Sequence, residues 1–253
     1  MDKRDISFEV EGFRLLGRVY IPEQQPSPAI CLCHGVPRGT PTPGDGGYPA
    51  LAQRLCRAGF VTLIFNFRGT GDSGGHFDIL GWTRDLEIVL DYLCTMSEVD
   101  RGKISVMGFS GGAAVSVYVV AKDHRVFSLI TCACPTKFRF AADAERAKSA
   151  IEHFRNVGII RDQNFPPSID GWVDGFAQVS PLNWIEKISP RPLLIIHGTE
   201  DEVVDPSSAR ELYHRAGQPK EFLSIEGAGH RLRLEERAID GALNWLGAQL
   251  CRD

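Results

Sequence analysis

The 253-residue chain contains no run of 18 consecutive apolar residues, which excludes a membrane-spanning helix by length alone. Its opening, MDKRDISFEVEGF, has no apolar core that could act as a secretory leader; the expectation is a cytoplasmic protein. Neither sign of charge dominates: 28 Lys and Arg against 32 Asp and Glu leave a formal −4. That balance gives no electrostatic case for nucleic acid or an anionic membrane as partner. Internal repeats, low-complexity tracts and Ser/Gly linkers are missing as well, so one domain over 1–253 is expected.

Metal-binding spacings are also lacking. The seven cysteines form no C-x-x-C, and there is no H-E-x-x-H. Cys31 and Cys33 in AICLCHG, and Cys132 and Cys134 in LITCACP, each fall two apart on an apolar run, where they share a strand face. Small buried cysteine is a common core residue, and neither a metal nor a cofactor is expected.

What the chain does have is a regular rhythm. Short runs rich in Val, Ile, Leu and Phe occur at 29–35, 60–67, 103–109, 126–134, 192–198 and 221–227. Each is bounded by Gly or Pro, the look of strands buried on both faces. Helical patterns alternate with them at 48–58, 83–96, 111–122, 206–216 and 232–250. Two further strand-like stretches, DISFEVEG and FRLLGRVYIP, precede the series. Such alternation predicts an α/β fold: parallel strands, right-handed crossovers, helices on both faces, and functional loops at the carboxyl ends of the strands.

One interval breaks the rhythm. Between the runs ending at Cys134 and starting at Pro192, nearly 60 residues show no strand signal. AADAERAKSAIEHFRNVG reads as an amphipathic helix, and QNFPPSIDGWVDGFAQ as irregular and aromatic. So long an interval in a compact domain is usually functional; a cap over about 136–184 is expected.

Gly-x-Ser-x-Gly occurs twice, at Ser73 in TGDSGG and at Ser110 in GFSGG. Ser110 follows the apolar run KISVM and precedes GGAAVSVYVVA. A strand–Ser–helix junction with flanking small residues is a sharp turn that exposes the hydroxyl. It also directs a helix N-terminus, and the Gly111 amide, at the reacting carbonyl. Ser73 instead lies six residues past its strand in a loop of four glycines, with no helix directly after it. Ser110 is the candidate nucleophile and Ser73 a turn residue.

A serine hydroxyl needs an adjacent base, for which histidine is best suited. His230, in EGAGHRLRLEE, stands between the last strand and the last helix, at the carboxyl edge. His76, His124, His153 and His214 read as surface residues, His197 as a packed, hydrogen-bonded imidazole, and His34 as structural. The carboxylate that would orient His230 must come from HGTEDEVVDPSSAR. Asp205 precedes Pro206 and reads as a helix cap; Glu200, Asp201 and Glu202 stay open on spacing alone. The loop HGVPRG is expected to add the Val36 amide to that of Gly111 as the two oxyanion donors.

Taken together, these stretches resemble the α/β-hydrolase superfamily over nearly the whole chain. The features are His34-Gly35 after the third strand, NFRGTGDSGG after the fourth, GFSGG after the fifth, HGTED after the seventh and GAGH after the eighth. The order Ser110, acid, His230 is the family's order, and its H-G-x-x-D-x-x-V pattern implies Asp201 as the acid. Asn66 stands where many members have Asp, a departure in a turn. The resemblance implies a mostly parallel eight-stranded sheet with a small cap after the sixth strand. It would put a strand between the two cysteine pairs, holding them about 10 Å apart.

Within the superfamily the chain is similar to small bacterial esterases and to prolyl-oligopeptidase-type catalytic domains without their propeller. Serine at 110, rather than Cys or Asp, argues against a dienelactone hydrolase or a haloalkane dehalogenase. The expected activity is cleavage of a small-molecule carboxylic ester through an acyl-enzyme. Thioesters and small amides are secondary possibilities, as are peptidase or acyl-aminopeptidase action and a non-catalytic ligand receptor. For an aminopeptidase a cap carboxylate, among Asp143, Glu145, Glu152, Asp162, Asp170 and Asp174, would have to capture the substrate's ammonium group.

Overall fold

A computed structural model describes residues 1–37 and 45–251. Eight strands form one sheet: β1 (Asp2–Val10), β2 (Phe13–Ile21), β3 (Ser27–Cys33), β4 (Val61–Phe65), β5 (Val99–Phe109), β6 (Val126–Cys132), β7 (Leu193–Gly198) and β8 (Lys220–Ile225). Their spatial order is β1-β2-β4-β3-β5-β6-β7-β8. The β1–β2 and β2–β4 pairs are antiparallel, and every pairing from β4 to β8 is parallel. β5 therefore separates the cysteines of β3 from Cys132 on β6.

Alternation along the buried strands sends side chains to two cores. Val106, Leu129 and Ile195 face α2 (Ile79–Thr95), α3 (Gly111–Val120) and α6 (Ser207–Arg215). Met107, Ile130 and Ile196 face α1 (Gly47–Arg57) and α7 (Glu236–Leu250). α3 is apolar on all sides and almost wholly buried, as expected of a helix enclosed by neighbours. Truncating one of its valines would cost about 1–3 kcal/mol in lost transfer energy and cavity formation.

The interval between β6 and β7 differs from the sequence reading. α4 (Ala144–Asn156) is the amphipathic helix expected, but the stretch read as irregular holds a second helix, α5 (Ile169–Val179). Its glycines, 171 and 175, lower local propensity. Packing overrides them, because Trp172, Gly175, Phe176 and Val179 follow the i, i+3, i+4, i+7 spacing and are buried. The Ser168 hydroxyl caps the helix by accepting from the Gly171 amide at 3.1 Å. The last helix also starts later than expected, since residues 232–234 form a separate single turn before Glu236.

The glycine-rich loop after β4 anchors this interval. Ser73 is fully buried; its hydroxyl accepts from the Leu16 amide (2.9 Å) and donates to the Asn66 carbonyl (2.7 Å). The turn exposes its carbonyls instead, and the Arg161 guanidinium donates to those of Ser73, Gly69 and Gly71 at 2.9, 3.3 and 2.8 Å. Phe77 and Ile159 add a backbone bond of 2.8 Å, and the Trp172 indole donates to the Phe77 carbonyl.

Candidate active site

Because β5, β7 and β8 run parallel, the loops leaving them share one edge of the sheet. Ser110 sits between β5 and α3 with φ 51° and ψ −121°, a region that costs a non-glycine residue about 1–3 kcal/mol. The surroundings enforce it: the Ser110 amide donates to the Cys132 carbonyl at 2.8 Å. Gly112 lets the end of β3 pass close by, since a Cβ there would lie 2.3 Å from the His34 carbonyl oxygen. The hydroxyl is thereby displayed at the N-terminus of α3.

His230, after β8, places Nε2 3.0 Å from Ser110 Oγ. Its Nδ1 lies 2.9 and 3.0 Å from the two carboxylate oxygens of Asp201, after β7. A carboxylate only accepts, so Nδ1 carries the proton and Nε2 offers its lone pair to the serine O–H. Asp201 is buried, whereas Glu200 and Glu202 are exposed. The structure thus brings Ser110, Asp201 and His230 into one chain of hydrogen bonds and leaves both glutamates outside it.

Burial works against an ionised Asp201. Hydrogen bonds from His197, His230 and the Val204 and Val203 amides outweigh it, holding the carboxyl well below the ordinary carboxylate range. His197, read from sequence as a packed imidazole, is buried with Nε2 3.0 Å from the Val204 carbonyl and 3.2 Å from Asp201 Oδ2. Its contact with Asp201 was not anticipated; the spacing His197-x-x-x-Asp201 is the signal that carries it. Asp205 stands outside the chain, accepting from the Ser207 amide at 2.8 Å; Pro206 is the N-cap of α6 and no side chain caps it, so Asp205 does not take the capping role expected.

Val36 and Gly111 also meet at the site. A Cβ on Gly111 would lie 3.6 Å from the Val36 amide nitrogen. As first residue of α3, Gly111 has an amide with no helical acceptor. His34, buried behind this loop, has Nδ1 2.8 Å from the Gly35 carbonyl and Nε2 3.2 Å from the Phe67 amide. One nitrogen must donate and the other accept, which fixes a neutral tautomer. Burial pushes this imidazole down to about 4, although the bond to the Gly35 carbonyl favours the charged form. Arg38 and Gly39, the end of the HGVPRG loop, lie outside the described residues.

A cleft of about 1800 Å³ opens from Ser110, Gly111 and Val36 toward α4 and α5. Phe138, Phe140, Phe154 and Phe176 line it and also pack together, with ring centroids 4.9 Å apart for Phe138–Phe176 and 5.2 Å for Phe140–Phe176. These rings form both wall and core. Trp172 joins the core only, and Phe165 pairs with His76 at 5.0 Å. His153, read from sequence as a plain surface residue, is exposed but lines the cleft.

A model of the prolyl oligopeptidase family matches residues 48–250. The chain belongs to this family. It is accordingly a serine hydrolase of the α/β-hydrolase fold. Among relatives of this prolyl oligopeptidase family member, an uncharacterized Pseudomonas aeruginosa protein is 25% identical over 273 residues, spanning 87% of this chain and 72% of that protein. The acylamino-acid-releasing enzyme of Sus scrofa is 22% identical over 246 residues, covering 90% of this chain and 32% of the enzyme. A solved Pyrococcus furiosus esterase superposes with a TM-score of 0.71 at 21% identity, over 99% of this chain and 92% of that one.

Proposed function

We propose that the chain hydrolyses small carboxylic esters through an acyl-enzyme, with Ser110 as nucleophile, His230 as general base and Asp201 as its orienting carboxylate. The observation carrying this reading is the continuous hydrogen-bond chain from Ser110 Oγ through His230 to Asp201. Ser110 attacks the acyl carbon while its proton passes to His230 Nε2; Asp201 stabilises the imidazolium. The Val36 and Gly111 amides hold the developing oxyanion, aided by the α3 N-terminus. His230 then protonates the leaving alkoxide and activates the water that releases the acid. The interval over about 136–184 acts as a cap supplying the apolar wall of the acyl site.

Peptide or acyl-amino-acid substrates are the second reading, favoured by membership of the prolyl oligopeptidase family and similarity to the Sus scrofa acylamino-acid-releasing enzyme. None of the six cap carboxylates from Asp143 to Asp174 lines the cleft, so an aminopeptidase's ammonium group would have to be received by Asp205 or Glu211, which do. A panel of acyl 4-nitrophenyl esters, N-acyl-aminoacyl anilides and free aminoacyl anilides tests the choice. Esters should show the highest kcat/KM, and Ser110→Ala should abolish turnover. Faster anilide cleavage would replace the ester reading with the peptidase one.

A further inference from the structure

The cleft sorts charge in a way the bulk composition does not. From the interval between β6 and β7 it takes Lys137, Arg139, Arg146 and His153, all exposed, and no carboxylate. The chain as a whole is acidic, at −4, and this interval carries six carboxylates between Asp143 and Asp174 alone. The opposite wall contributes Asp205 and Glu211. Arg146 is paired with Asp143 at 3.5 Å, and Asp205 is engaged by the Ser207 amide. The side chains of Lys137 and Arg139 make no ion pair or hydrogen bond among the described residues, and the Arg139 charge acts on Asp205 across the cleft without direct contact.

Their position ties them to the reacting centre. Cys132, whose carbonyl accepts from the Ser110 amide, is only five residues before Lys137. Phe138, between the two cations, places Cε1 3.9 Å from where a Cβ on Gly111 would stand. Phe138, which reaches the base of α3, is thus bracketed in sequence by two basic residues that line the same cleft. A cleft lined by both phenylalanine rings and these cations suits a substrate with a carbon chain ending in an anion. Resting on the ester-hydrolase reading, we infer that the preferred substrates are esters carrying an ionised carboxylate, received by Lys137 and Arg139.

Matched ester pairs differing only in that charge test the inference. Mono-4-nitrophenyl adipate against its methyl ester places the carboxylate on the acyl side; 4-acetoxybenzoate against methyl 4-acetoxybenzoate places it on the alcohol side. At low ionic strength one anionic member should exceed its neutral partner roughly tenfold in kcat/KM, the scale of two exposed charge contacts. That ratio should shrink in 0.5 M salt and approach one in the Lys137→Gln/Arg139→Gln double variant. Arg57→Gln, a cation on α1 away from the cleft, should leave the ratio in place.

A ratio near one for both wild-type pairs, or one that survives the double variant, overturns the inference while leaving the ester activity standing. The Ser110→Ala protein gives a readout without turnover: calorimetric titration with monomethyl adipate against dimethyl adipate. The anion should bind roughly tenfold more tightly, and the preference should vanish when the two substitutions are added. Anion-selective binding with no hydrolysis of any ester would sink the ester reading and keep the subsite. Equal binding of the two would sink the subsite.

Discussion

His34 Nδ1 stands 2.8 Å from the carbonyl oxygen of Gly35, and that carbonyl shares a rigid peptide plane with the Val36 N–H. In a trans peptide the two point in opposite directions, so the grip on the carbonyl aims the Val36 amide toward the Ser110 side. Asn presents a donor near the Nδ1 position, whereas Gln reaches only toward Nε2. His34→Asn should therefore keep kcat within about tenfold, and His34→Gln should lose about 10²-fold with little change in KM, the scale of one oxyanion donor. Steady-state kinetics on one ester decides it, and equal losses would assign His34 a purely structural role.

The same imidazole predicts a pH dependence of stability. Its folded value lies near 4, below the ordinary 6.5, so protons bind preferentially to the unfolded chain. The contribution of His34 is complete above about pH 6.5 and declines as pH falls toward 4, by up to about 3 kcal/mol. Urea unfolding at pH 7 and pH 4.5 should show a smaller decline in His34→Asn than in wild type. Parallel declines would contradict the account.

Asp201 and Asp205 are four residues apart but differ in what they hold. Asp201→Asn should lower kcat by about 10⁴-fold, as in the serine-protease triad template, since the amide can favour the wrong imidazole tautomer. Asp205→Asn should leave turnover near wild type and melting almost unchanged, because its exposed side chain holds only the Ser207 amide and Asn can still accept from it. Turnover and melting of the two variants side by side separate the roles.

Arg161 joins the glycine-rich loop to the segment between α4 and α5. Arg161→Ala removes donors to three carbonyls and should destabilise the protein by about 1–3 kcal/mol. Limited proteolysis should then cut within 136–184 before the sheet. Unchanged cleavage sites and rates would show that the anchor lies elsewhere.

The strand series, Ser110 and His230 were legible in the sequence because each depends on local pattern: apolar runs, a small-residue junction, a histidine after the last strand. The choice of Asp201 over Glu200 and Glu202 was not legible from spacing, since burial decides it; the family resemblance supplied that residue. α5 escaped notice because two glycines and two prolines masked a packing face that only the aromatic cluster reveals. The charge sorting of the cleft is likewise tertiary: Lys137, Arg139 and the six carboxylates from Asp143 to Asp174 look alike in the sequence, and folding separates them.

The central claim is that Ser110 is an activated nucleophile. Labelling the native protein with a fluorophosphonate and mapping the modified peptide tests it most directly. The account predicts a single adduct on Ser110, lost on heat unfolding and strongly slowed in Asp201→Asn. An adduct on Ser73, or a native protein that takes no label, would contradict it.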